Sequence, residues 1–181
     1  MAKLVSKIYG DALFEVALEK DQLDHFWEAI EVVKKLLQEN VSFGQLLNHP
    51  KVAKEEKVHI IEEAFGKYLP EEVVGMFVLL VEKGHATEID SVLAYFIDRV
   101  KEEKKIGCVF VTTAIELNDA KKKTVEDRIL ETTSYESLEM YYEVDESLIG
   151  GMVIRIGNRV MDSSIKTKLY ELTRNLRTVQ I

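Results

Sequence analysis

Through most of the first hundred positions apolar residues recur at three- and four-residue intervals, and the pattern breaks only at short polar or Gly/Pro sites. Six helical segments follow: 4–19, 23–38, a short 41–47 stopped by His49-Pro50, 54–65, 70–84 and 88–105. Pro70 suits the first turn of the fifth, and Gly84 suits its left-handed C-terminal cap. In the sixth, Ile89, Val92, Leu93, Phe96 and Val100 form one stripe. Connections this short predict mostly antiparallel neighbours, hence a bundle.

After the charge run KEEKK (101–105) the period shortens toward two, and β-branched and aromatic residues cluster in IGCVFVTTAIEL. That change predicts a domain boundary, with an N-terminal six-helix bundle over 1–105 and a small α/β domain over 106–181. Within the second domain Asn118 caps a helix over 119–132, a strand follows at 138–144, and a last helix carries Ile165, Leu169, Leu172, Leu176 and Val179 on one face. The overall class is therefore α+β, two-domain, with a β-hairpin and a terminal helix after the bundle.

The stretch SLIGGMVIRIGNRVMDSSI (147–165) resembles a phosphate cradle in its glycine content. A cradle needs a strand before its glycines and a helix directly behind them, so that N–H groups and the helix N-terminus converge on the anion. Here Gly150 and Gly151 precede the strand MVIRI, which predicts a bend or bulge; Gly157-Asn158 then separates MVIRI from RVM, which predicts a two-residue hairpin turn. Met152, Ile154 and Ile156 should face the core, Val153 and Arg155 the other way, with Asp162 or Ser163 capping the final helix. A small nucleotide-binding protein or enzyme using 150–158 stays as the alternative reading.

Composition narrows the function classes. The 181 residues are 46% hydrophobic and 31% charged, as in an ordinary globular protein. The longest uncharged apolar run, VVGMFVLLV (73–81), is less than half of what a membrane-spanning helix needs, and MAKLVSKIYGDALFEVALEK has neither the apolar core of a secretory signal nor the character of a transit peptide. Cys108 is the single cysteine, so no intrachain disulfide forms, and a buried thiol is expected. His25, His49, His59 and His85 lack metal-ligand spacing; no GxSxG, P-loop or HExxH occurs, so no metal, cofactor or catalytic set is expected. The net charge of −8 divides into +4 after residue 150 and −12 before it, a balance that disfavours nucleic acid as a partner.

Two helices carry more apolar surface than a bundle face needs. The first has Val5, Ile8, Tyr9, Ala12, Leu13, Val16 and Ala17, widened by Phe14 and Leu18; the fifth has no polar residue on any side over 73–81. Either the fifth is a fully buried central helix, or part of this surface is a groove for an amphipathic helix of a partner.

The residues match a known family. The order Leu138, Met140, Val144-Asp145, Leu148, Gly150-Gly151, Ile154-Arg155, Gly157 and RVMDSSIKTKLYEL resembles the signature of the delta subunit of bacterial F-type ATP synthases, the oligomycin sensitivity-conferring protein of mitochondria. IYGDALFEVALE and HPKVAKEEK are similar to its opening helix and mid-domain segment; His85 stands where many members carry arginine, and Ser163 where glycine is usual. The resemblance implies a non-catalytic stator subunit that links the catalytic head to the peripheral stalk during proton-driven ATP synthesis. It implies two partners: the N-terminal helix of an alpha subunit, in a groove between the first and fifth helices, and the stalk's b subunits, on the C-terminal domain. The lining expected of the groove is Ile8, Tyr9, Ala12, Leu13, Val74, Phe77, Val78 and Val81. The basic residues expected to meet the stalk are Arg155, Lys166, Lys168, Arg174 and Arg177, while Gly150, Gly151, Gly157 and Asn158 serve structure. The implied location is the cytoplasmic face of the bacterial cell membrane, reached only indirectly through the complex.

Overall fold

The computed structural model describes residues 2–179, and the chain divides into two compact units, Met1–Lys101 and Glu102–Ile181. The first unit holds α1 (Ala2–Glu19), α2 (Leu23–Glu39), α3 (Val41–Asn48), α4 (Lys54–Phe65), α5 (Glu71–Glu82), a 3-10 turn (Ala86–Glu88) and α6 (Ile89–Glu103), which runs on into the second unit. Its core gathers Phe26, Ile30 and Val33 of α2, Ile61 of α4, Val73, Phe77 and Leu80 of α5, and Val92, Leu93, Phe96 and Val100 of α6. α5 gives the core Val73, Val74, Met76, Phe77, Leu80 and Val81, six of its twelve residues, which is why its sequence is apolar on nearly every side.

Local chemistry ends these helices where the tertiary fold needs them to end. Gly84 sits at φ +77°, its N–H donates to the Val81 carbonyl, and the His85 N–H donates to Leu80 O at 2.7 Å, the paired bonds of a Schellman cap. α1 ends in the same way, but with Asp21 at φ +53° in the left-handed position and the Gln22 N–H reaching back to Ala17 O. Pro70 lies one position ahead of α5 and accepts from the Val73 and Val74 N–H groups, while Glu71 and Glu72 complement the helix dipole.

In the second unit, β1 (Ile106–Thr113), α7 (Asp119–Thr132) and β2 (Ser137–Val144) form a parallel crossover unit, followed by β3 (Met152–Ile156), β4 (Arg159–Asp162) and α8 (Ile165–Val179). The sheet order is β2-β1-β3-β4, with β3 antiparallel to both β1 and β4. Asn118 Oδ1 accepts from the Lys121 N–H at 2.9 Å and starts α7. Val109, Val111, Ile129 and Ile154 are buried together, with Met152 and Ile156 packed against them, as the alternation along MVIRI predicts. Cys108 is half-buried rather than buried, and its thiol donates to the Glu139 carboxylate at 3.7 Å.

The glycine-rich stretch is a joint. Gly151 has φ +77°, and a Cβ there would come within 2.4 Å of the Ser163 carbonyl oxygen; a Cβ on Gly150 would come within 2.7 Å of Ile165 Cδ1. Both glycines thus let the β4–α8 connection lie directly on the chain ahead of β3. Gly157, at φ +54°, turns the β3–β4 hairpin with Asn158. Ile149 is also at positive φ (67°), an unfavourable setting for a β-branched residue. The cap of α8 differs from expectation: it is Ser164, fully buried, whose Oγ accepts from the Thr167 N–H at 3.2 Å. Asp162 acts one step earlier, accepting from the Ser164 N–H at 2.8 Å and the Thr167 hydroxyl at 2.7 Å. Ser163 instead donates from its hydroxyl to Met152 O at 2.9 Å, which ties it to the sheet and removes it from capping.

Candidate partner-binding surfaces

α1 is held on one flank and open on another. Asp11 accepts from the Tyr95 hydroxyl at 2.9 Å and pairs with Arg99 Nε at 3.4 Å, while the Arg99 guanidinium lies 5.1 Å from the centre of the Phe14 ring. Gly10 makes this approach possible, since a Cβ there would come within 2.4 Å of Tyr95 Cδ1. Toward α5, the Lys20 ammonium pairs with the Glu72 carboxylate, and the Tyr9 and His85 rings lie 6.4 Å apart. The Lys20 bond holds the Glu72 carboxyl below its ordinary range, helped by a backbone hydrogen bond and opposed by burial.

Of the eight residues expected to line the α1/α5 groove, Leu13, Val74, Phe77 and Val81 are buried in the bundle's own core. They are committed to internal packing and have little surface left for a partner. Ile8, 56% exposed, and Ala12 face solvent, while Tyr9 and Val78 are half-buried. The structure adds Leu4 and Leu79, the latter 41% exposed, beside an exposed Gly75. Leu79 was legible in principle, because Glu71 and Glu82 mark the solvent-facing line of α5 and Gly75 and Leu79 fall on that line at helical spacing. The uninterrupted apolar run hid it.

The second surface is α8. Its stripe is exposed throughout, from Ile165 at 43% to Leu176 at 69%, with Leu169 and Leu172 between; the Val179 side chain lies outside the described residues. The basic residues expected to meet a partner are distributed differently from one another. Lys166, Lys168 and Arg174 are exposed on α8, with the Lys166 ammonium donating to Ser147 Oγ at 3.1 Å. Arg155 lies on the sheet face away from α7, its guanidinium 4.6 Å from the centre of the Phe110 ring, and Phe110 stacks on Tyr141 at 5.0 Å. The Arg177 side chain lies outside the described residues. The pattern of basic residues pointed to this helix, but the larger resource is its unpartnered apolar stripe.

The order of elements is not that of a phosphate cradle: the residue after the two glycines enters strand β3, and the helix start that packs against them, that of α8, comes after β4 and gives its Ile165 N–H to Gly150 O. Among the described residues no group of three or more His, Cys, Asp or Glu side chains is placed to hold a metal ion, and no helix is long and apolar enough to cross a membrane.

The model of the family described as ATP synthase delta (OSCP) subunit matches residues 5–176. The chain belongs to that family. Members of it include the ATP synthase subunit delta of Lachnoclostridium phytofermentans, 46% identical over 181 residues and all of both chains. That of Bacillus subtilis is 33% identical over 172 residues, 95% of this chain and 94% of the relative. A chain in the mitochondrial ATP synthase hexamer of Toxoplasma gondii shares the fold with a TM-score of 0.76 at 21% identity, covering 94% of this chain and 96% of that one. The family model spans both units, from α1 through most of α8.

Proposed function

We propose that this chain is the non-catalytic stator link of an F-type ATP synthase, joining the catalytic head to the peripheral stalk so that rotor torque is resisted. The carrying observation is that, among the described residues, two separate groups of apolar helical side chains, one in each unit, stay exposed: Leu4, Ile8 and Leu79 on α1 and α5, and Leu169, Leu172 and Leu176 on α8. A torque-bearing link needs two attachments and no reacting group. Two attachments on one body also raise the effective concentration of each partner for the other.

The first face, with Ala12 and the half-buried Tyr9 and Val78, receives the N-terminal helix of an alpha subunit as a helix-in-groove contact. The second receives the b subunits of the stalk, with Lys166, Lys168 and Arg174 at its rim and the Phe110–Tyr141–Arg155 row of the sheet as a further contact. The chain then sits at the cytoplasmic face of the bacterial membrane, held there through the complex.

The test is capture of the full chain by immobilised alpha N-terminal peptide and, separately, by soluble b. Ile8→Asp should abolish the first and spare the second; Leu172→Asp should do the reverse. Both variants binding both partners as the unaltered chain does would remove these faces from the assignment.

A further inference from the structure

The α1/α5 face is electrically polarised along its length. α1 and α5 run antiparallel, because Lys20, just past the end of α1, pairs with Glu72 in the first turn of α5, while Tyr9 meets His85 beyond the other end of α5. Intervals of 4, 4, 3 and 4 residues put Leu4, Ile8, Ala12, Glu15 and Glu19 on one line of α1, all exposed. That line is apolar over its first half and carboxylate over its second. The matching line of α5 is Glu71, Gly75, Leu79 and Glu82, also exposed. Antiparallel packing puts Glu19 and Glu71, the sequence neighbours of the Lys20–Glu72 pair, at one end, with Glu15 one turn further along α1, and Lys20 at that end is engaged by Glu72. Lys7 and Lys83 lie toward the opposite end, with Glu82.

A helix laid on this face meets mostly apolar side chains over one half and carboxylates over the other. Rim charges of this kind fix register and exclude the wrong partner more than they add affinity. We infer that the amphipathic helix this face receives is itself polarised, with its basic side chains over Glu15, Glu19 and Glu71 and its apolar stripe over Ile8, Ala12 and Leu79. The inference rests on the reading of the face as a helix-binding groove and adds to it the charge pattern of the occupant. It is independent of chain direction, since either direction can bring a basic end to the carboxylates.

Two 18-residue probe peptides with one apolar stripe test this, one carrying three lysines in its last turn and its twin three glutamates at the same places. Calorimetry on the full chain should show the lysine peptide binding about tenfold more tightly at low salt, since each solvated rim pair changes affinity about twofold. The gap should close as salt approaches about 0.5 M, where the screening length is only a few ångströms. A spin label at the lysine end should broaden the amide signals of Glu15, Glu19 and Glu71 and spare those of Lys7 and Lys83. Combining Glu15→Lys, Glu19→Lys and Glu71→Lys should invert the preference with an unchanged circular dichroism spectrum. Twins that bind equally, or a charge-reversed chain that keeps the original preference, overturn the polarity; if Ile8→Asp still abolishes both, the groove itself stands. If neither peptide binds the unaltered chain, the groove reading falls with the polarity.

Discussion

α5 and α8 are both strongly apolar, yet they spend that surface in opposite ways. α5 buries six side chains in the bundle and leaves a line one residue wide, Gly75 and Leu79, to solvent. α8 leaves Leu169, Leu172 and Leu176 largely exposed and is fastened at its first turn, where Ser164, Asp162 and the Ile165 N–H bond to Gly150 O hold it. Apolar content alone therefore does not mark a binding face. What marks one is apolar surface left after the chain's own neighbours have taken their share.

The largest effect expected is in α5. Phe77→Ala removes a fully packed ring between Phe65 and the bundle core and should cost about 3–5 kcal/mol in a denaturant melt. A cost below about 1 kcal/mol would mean that α5 is not the buried element described. For α8 the sensitive point is its root. Gly151→Ala forces a Cβ against Ser163 O at positive φ and should cost about 2 kcal/mol or more, read as lower thermal stability of the second unit. Ser164→Ala removes the buried cap and should cost about 1 kcal/mol.

Beyond that root the helix should be silent. Leu172→Asp is expected to change the stability of the free chain by less than about 0.5 kcal/mol, because the side chain is already more than half exposed; a large loss would show that the stripe packs internally after all. The smallest effect is on pH dependence. Glu72 and Asp162 both titrate below their ordinary values, Glu72 chiefly through Lys20 and Asp162 chiefly through the Thr167 hydroxyl. Each therefore contributes stability that is present above its unfolded pKa and lost as pH falls through the lowered folded one. Lys20→Met should flatten the Glu72 share of that acid limb and leave the Asp162 share in place, as a pH series of melts would show. The effect is small because Asp162 is exposed and Glu72 only half-buried, so solvent screens both.

Much of the secondary structure was legible. Helix 119–132 and strand 152–156 appear where Asn118 and the MVIRI alternation put them, because capping and a period of two are local properties. The family was legible too, through resemblances along the chain that included the glycine-rich stretch, where a Cβ on Gly151 would meet Ser163 O. The division of the apolar residues between core and surface was not. Leu13, Val74, Phe77 and Val81, offered as groove lining with a fully buried fifth helix as the alternative, are buried in the core, whereas Leu4 and Leu79 were passed over and face solvent.

The sequence by itself determined which segments are helix and strand and where the turns fall, because each depends on residues a few positions apart, and it determined the family through motifs spread along the chain. Only the tertiary structure decided which side of each apolar helix is consumed by its neighbours. A helix that is apolar all round has no phase of its own, so what remains for a partner is set by the packing of α1, α4 and α6 around α5, and on α8 by the absence of such packing among the described residues beyond its first turn.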